Sequence, residues 1–259
     1  MSFGHSLEKK ENLSAQDLEK GEKSKEISAN QGDRWTFVAV LPDSSFIHTI
    51  HSGDRNLQEA TEFVLQIKAK SNGEAPLFAS DDWFYEKALL ANYGFDYSPP
   101  YAGRGRRPHP KRLPLPDLKY VQVQKKRDGK GRLVQINYAT IYGTKERINQ
   151  VFSNAERSKT INTVFVESRN GKFRKDDARL IRRTLNHSKK SILHDAQIKF
   201  TAQVMNYTRT NDALKTLINP NAALFEQKYQ HRTPAMVQKI INKPLTIKEL
   251  LFIRPQITP

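Results

Sequence analysis

Between Trp35 and Asn92 the hydrophobic pattern switches from the strand period to the helical period and back, and this alternation restricts what the chain can fold into. WTFVAVL (35–41) and FIHTIH (46–51) are β-rich runs joined by the turn sequence Pro42-Asp43-Ser44-Ser45, which predicts a β-hairpin. Ala60, Phe63, Val64 and Ile67 then recur at i, i+3, i+4 and i+7, the apolar stripe of a helix over 57–70. Asn56 with Glu59 three residues on resembles a capping box, and Asn72-Gly73 is a stop. PLFAS (76–80) is a short apolar strand running into Asp81-Asp82. Tyr85, Ala88 and Leu89 share a helical face, with Gly94 expected as the left-handed cap behind it. The order β-β-α-β-α is that of an α/β domain, and no internal repeat is present.

The next stretch breaks the pattern. Residues 98–117 contain six prolines, five Arg or Lys and one acid, which predicts an extended arm or ordered loop. KYVQVQKK and RLVQINYATIYG flank Asp128-Gly129-Lys130-Gly131, a second hairpin with period-2 alternation. From about Lys145 to the 215 region the chain is expected to be helical. The tail, 220–259, reads as irregular apart from a short helix near TIKELLF (246–252).

The charge is uneven. The 259 residues carry 43 Lys and Arg against 27 Asp and Glu, a net +16, with a pI near 9.9. Residues 1–33 hold seven acids and five bases, so the remainder carries +18. A body this basic suits a polyanion, because phosphate neutralisation supplies affinity. With no cysteine, disulfides, thiolate nucleophiles and cysteine-based zinc sites are excluded. No apolar run approaches the roughly 18 residues of a membrane span, and MSFGHSLEKKENL has no apolar signal core, so a cytoplasmic, non-membrane protein is expected.

Three groups of residues are candidates for chemistry. Asp81 follows apolar strand residues at a strand's C-terminal end, where open α/β sheets bind ligands; the bland alternative is a cap for the next helix. Glu167, Asn170 and Arg174 fall at i, i+3 and i+7 of NTVFVESRNGKFR, one helical face bearing an acid, an amide and a guanidinium; its alternative is an ordinary solvated face. Arg179, Arg182 and Arg183 fall at i, i+3 and i+4 of ARLIRRTLNHSKK (178–190), opposite Leu180, Ile181, Thr184 and Leu185. That pattern predicts a basic amphipathic helix suited to a DNA backbone. His48 and His51 stand three apart in a strand and cannot chelate together, and His187 and His194 lack partner patterns. No phosphate loop and no nucleophile elbow is present.

Taken together, SDDWFYEKAL (80–89), INTVFVESRN with ARLIRRTLNHSKK (161–190), and HRTPAM with LTIKELL (231–251) resemble insertion-sequence DDE transposases with an RNase H-like catalytic domain. The resemblance runs over nearly the whole chain. It implies an α/β, RNase H-like fold with a mixed sheet of about five strands, a β-hairpin insertion after the proline-arginine arm, and a basic helical C-terminal part. It implies that Asp81 and Glu167 are catalytic ligands of Mg²⁺ or Mn²⁺ in phosphodiester cleavage and strand transfer. Asn170, Arg174, Arg179, Arg182, Arg183 and Lys189 would contact DNA, and Arg104, Arg106, Arg107, Lys111 and Arg112 would contact flanking DNA. The partners implied are element ends and target DNA, bound by a homo-oligomer. The family's first acid would fall just ahead of Met1, so the chain is expected to be N-terminally truncated. Asp82 stands where the family has Gly, and Thr210-Asn211 where it has Pro-His. A DNA-binding remnant without cleavage activity is therefore the alternative function, and an unrelated basic RNA-binding protein a further one.

Overall fold

The computed structural model describes residues 2–6, 33–81, 85–101, 103, 106–161, 163–181, 186, 188–223 and 226–253; for 2–6 and 33 it describes the backbone alone. The chain is mixed α/β and divides into two compact units. One comprises Trp35–Ala39 and His51–Glu167 with the first residues, the other Val40–Ile50 and Ser168–Pro259 with Gly4–Arg34.

The first hairpin forms as the alternation predicts: β2 (Asp33–Leu41) and β3 (Phe46–Gly53) lie side by side with β1 (Ser2–Ser6) in a three-stranded sheet, order β1-β2-β3. Ser45 turns the chain with φ +56°. Helix α1 (Leu57–Lys70) occupies the predicted span. Asn56 Oδ1 accepts from the Glu59 N–H, and the buried residues are the predicted stripe, Ala60, Phe63, Val64 and Ile67. The Glu59 carboxylate departs from a capping box: it reaches back to His51 Nε2 at 2.6 Å. Asn72 and Gly73 stop the helix with φ of +51° and +83°.

The first unit's core is Phe37, the α1 stripe, Ala75, Tyr85, Ala88, Leu89, Tyr93, Leu118 and Tyr120. Tyr85, Ala88 and Leu89 are the buried face of α2 (Tyr85–Asn92). Gly94 does not cap α2 as expected. It begins β5 (Gly94–Tyr97), which pairs antiparallel with β6 (Lys111–Pro114). A Cβ at Gly94 would lie 2.3 Å from the Leu90 carbonyl oxygen, so the requirement there is close approach rather than a left-handed backbone. The proline-arginine segment is accordingly the connection that closes a two-stranded ribbon.

The strand ending at Asp81, β4 (Leu77–Asp81), pairs in parallel with β7 (Lys119–Arg127), and β7 pairs antiparallel with β8 (Leu133–Tyr142). The hairpin expected to stand apart as an insertion is thus built into the sheet through β7, whose Tyr120, Val121, Gln122 and Val123 are all buried. A single mixed sheet of about five strands was expected. The described residues instead form two three-stranded sheets and two ribbons, the second ribbon joining β9 (Thr216–Leu217) to β10 (Tyr229–Gln230).

The helical stretch from Lys145 resolves into α3 (Lys145–Asn154), α4 (Val164–Asp176) and α5 (Ser191–Tyr207). The basic helix expected over 178–190 does not form in its described part. Asp177 Oδ1 accepts from the Arg179 N–H and opens a single 3-10 turn, Ala178–Leu180, after which Ile181 is extended at ψ 134°. Charge spacing alone cannot register that the Asp177 side chain competes locally for the backbone. The TPAM segment is a short helix, α6 (Pro234–Val237), with Thr233 as N-cap and Pro at its first turn; α7 (Ile247–Phe252) carries the Thr246–Glu249 capping box.

In the second unit Asn206, on α5 and 1% exposed, serves β3 as a strand would. Its Oδ1 accepts from the Ile47 N–H and its Nδ2 donates to the Ile47 carbonyl, both at 2.9 Å. Arg34 and Asp195 form a two-pronged ion pair at 2.8 and 2.5 Å. Beside it His194, buried, meets Ser188 Oγ through Nδ1 at 2.7 Å.

Two outcomes follow from these contacts. Asn206→Leu strands a buried N–H and a buried carbonyl at Ile47, each worth about 1–3 kcal/mol, so the urea midpoint should fall well below that of wild type. Burial, the dominant influence, holds the His194 imidazole below its ordinary 6.5; Asp195 and Asp177 oppose it, and Arg34 and Arg179 add to it. A depressed folded value means that the unfolded chain binds the proton first. The stability contributed by neutral His194 is therefore complete above pH 6.5 and is lost as pH falls through the depressed folded value. Denaturation midpoints between pH 7 and 5 should decline more steeply in wild type than in His194→Asn.

Candidate functional site

The candidate centre lies in the first unit, where β4, β7 and the first turn of α4 contribute one charged side chain each. The parallel register sets Asp81 opposite Val123 and Ser80 opposite Gln122. Neighbours in register point to the same face of a sheet, and the strand period of two carries Lys125 to that face as well. Ser80 takes the other side, where its hydroxyl meets Tyr120 Oη at 2.8 Å in the core. The strand therefore anchors itself through Ser80 and presents Asp81 beside Lys125.

From α4 comes Glu167, an acid in the first helical turn, where the helix dipole favours negative charge. The Lys125 ammonium forms an ion pair with Glu167 Oε1 and donates to Thr163 Oγ1 at 2.9 Å; the Thr163 hydroxyl donates to Glu167 Oε1 at 3.2 Å. Thr163 is 3% exposed, so this anchor is fixed, while the Glu167 side chain keeps 46% of its surface in solvent. Asp81 is coupled to both partners. Burial raises its carboxyl above the ordinary 3.8; the Lys125 charge pulls it down and the Glu167 charge pushes it further up. Asp81 Oδ1 is buried and has no hydrogen-bond partner among the described residues.

A buried carboxylate oxygen without a donor is an atom that a cation would satisfy. Two carboxylates are a fitting set for one Mg²⁺, which keeps several waters and takes only one or two protein acids. A two-ion centre asks for more negative charge, and among the described residues no group of three His, Cys, Asp or Glu is placed to hold a metal. Asp82 lies outside the described residues. The cation that the structure does hold against the pair is Lys125. Sequence reading missed Lys125, since a lysine in the alternating pattern of a hairpin strand looks like any solvated position; only the β4–β7 register brings it to Asp81.

The other predicted residues take varied positions. Asn170 is buried, with an Oδ1 that has no partner among the described residues, and Arg174 on the same helix is half-buried. Arg179 and Lys189 are exposed. Arg112 is committed: its guanidinium pairs with Asp96 at 3.0 Å and donates to the carbonyls of Leu90, Ala91 and Gly94, closing the C-terminal end of α2. Arg106, Arg107 and Lys111 are exposed, Arg107 lying 5.6 Å over the Tyr101 ring. Arg104, Arg182 and Arg183 lie outside the described residues. Among the described residues no helix is long and apolar enough to cross a membrane.

No protein-family model matches the chain, and no curated protein or solved structure matches it either.

Lys125→Met should expose the charge balance of the centre. Without its ammonium, a partly buried Asp81 faces Glu167 with no counter-charge, so the melting temperature at pH 7 should fall. Millimolar Mn²⁺ should recover it in the variant while leaving wild type nearly unchanged. A thermal melt of both proteins with and without Mn²⁺ reads this directly.

Proposed function

We propose that this protein acts on DNA as a transposase of the DDE kind, with Asp81 and Glu167 as the divalent-metal ligands of a phosphodiester-transfer site. The observation that carries the reading is the electrostatic coupling of these two carboxylates, one at a strand's C-terminal end and one in the first turn of α4. A bound Mg²⁺ or Mn²⁺ would supply Lewis-acid stabilisation of charge on the phosphate and activation of the attacking oxygen. The chain's own contribution is to fix Asp81 through the β4–β7 ladder and Glu167 through Thr163. Its positive charge would hold the DNA, with Arg106, Arg107, Lys111, Arg179 and Lys189 as exposed contacts, and the protein would assemble on its DNA as a homo-oligomer.

A second reading is DNA binding without cleavage. It is favoured by the Lys125–Glu167 ion pair and by the absence of a third acid at the centre among the described residues. With Lys125 already offsetting one of two carboxylates, a pair of divalent ions meets too little negative charge.

One pair of assays separates these readings. Binding to duplex DNA of mixed sequence should weaken by about 10³–10⁵ between 50 and 200 mM salt if six to ten phosphates are contacted. Salt-independent binding, or none, would sink both readings. Strand nicking with Mn²⁺ that disappears in Glu167→Gln establishes the transposase reading. Binding with no nicking by either protein establishes the second, and this is the outcome expected of the chain as it stands.

A further inference from the structure

We propose that the pocket formed by the C-terminal half of α4 and the loop after α5 is a phosphate site, taking one phosphate group of a nucleic-acid backbone or a free phosphate ion. The pocket lies wholly in the second unit and has a volume of about 220 Å³. The DNA-binding reading bears only on where the phosphate comes from.

Four cations line the pocket, Arg169, Lys172 and Lys175 from α4 and Arg209 from the loop, against a single carboxylate, Asp176. That carboxylate is already spoken for, in an ion pair with Arg209. Arg169 is only 4% exposed, which is an expensive place for a guanidinium unless anions answer it. The crowding registers on Lys172: burial chiefly, and then the charges of Arg169 and Arg209, hold its ammonium below the ordinary 10.5, with Asp176 and Asp212 opposing.

A bland account of such a cluster exists and falls short. Cations near a helix C-terminus complement the macrodipole, and Arg174 and Lys175 do occupy the last turn of α4. The dipole supplies only about half an elementary negative charge. Adding it to Asp176 leaves more than two positive charges in the pocket without an answer. A tetrahedral polyanion supplies what is lacking. Its several acceptor oxygens suit guanidinium forks and lysine ammoniums together, and the Thr210 hydroxyl on the rim adds a donor. At roughly 30 Å³ per water, the space admits a phosphate group with part of its hydration.

The decisive variant is Lys172→Gln/Lys175→Gln in the full chain, since both lysines are exposed and their loss spares the buried Arg169. Lys199→Gln, exposed on α5 and absent from the pocket lining, is the control for a diffuse effect of surface charge. Inorganic phosphate is titrated against each protein by ³¹P NMR. Duplex DNA of mixed sequence is titrated by anisotropy across a salt series. Wild type should give a saturating phosphate shift that the double variant loses. The double variant should also bind DNA with a salt slope lower by about 1, the signature of one lost phosphate contact. Loss of the phosphate shift with an unchanged slope, or with no DNA binding by wild type, assigns the pocket to free phosphate; the second case also refutes the DNA reading while leaving the site standing. A lower slope without any phosphate shift assigns it to the nucleic-acid backbone alone. The proposal is overturned if the double variant matches wild type in both assays, or if Lys199→Gln reproduces its losses.

Discussion

The parallel ladder between β4 and β7 is the constraint on which the first unit depends. Its register places Ser80 and Gln122 together and Asp81 and Val123 together, so it decides at once what is core and what is site. A slip of one residue would send Asp81 to the side of Tyr120 and put Ser80 beside Lys125, because side chains alternate along a strand. Such a slip would also break the Ser80–Tyr120 hydroxyl contact at the base of the core. The packing that buries Tyr120 therefore also fixes the approach of a lysine ammonium to a buried carboxylate. Parallel pairing gives no local turn to set this register; the buried faces of β7 and the packing of Leu118 and Tyr120 have to do so.

The second unit solves a related problem with one side chain. Residue 47 has an N–H and a carbonyl that are buried by α5, and a helix cannot donate its own backbone to a strand. Asn206 supplies an amide of the same shape, donor and acceptor side by side, and both bonds form at 2.9 Å. Leaving either group unmet costs about as much as a well-made hydrogen bond returns, so the amide is worth more for preventing two vacancies than for the bonds themselves. Aspartate, with two acceptors, and leucine, with none, would each leave the Ile47 carbonyl unmatched.

Features governed by local chemistry were legible in the sequence. The stripe Ala60, Phe63, Val64, Ile67 identifies the buried face of α1, Asn56 its start, and Asn72-Gly73 its end; both long hairpins follow from alternation and turn residues. What failed were features settled by something out of sequence range or by competition within a few residues. Gly94 was taken for a cap because it follows a helix, yet its requirement comes from the nearness of the Leu90 carbonyl. Arg112 reads as one more cation in a basic arm, but antiparallel pairing brings it to Asp96 and the end of α2. The basic stripe after residue 178 has the right spacing for a helix, and the Asp177 carboxylate spends the first backbone N–H on a 3-10 turn instead. At the site, Asp81 was visible as an acid at a strand end and Glu167 as an acid on a helix. Lys125 was invisible, because its importance lies in a partner 42 residues away.

Each unit carries a charge imbalance, and the two run in opposite directions. At Asp81, Glu167 and Lys125 two carboxylates face one ammonium, so about one negative charge is left over, most of it on the acid whose Oδ1 has no donor. At Arg169, Lys172, Lys175 and Arg209 the excess is positive, with only Asp176 against it. Neither imbalance can be large in isolation, because a desolvated charge without a partner either titrates or draws in an ion. Asp81 and Lys172 respond in the first way: burial drives each toward its neutral form. That shift relieves strain without removing the field. A cation at the first centre would compete with Lys125 for Glu167, so its affinity is set by how readily the ammonium can leave Thr163. An anion at the second would displace nothing, since Asp176 can remain on Arg209 while Lys172 and Lys175 turn to the new charge. The basic pocket is therefore the site of the two at which a ligand can bind without first breaking a contact.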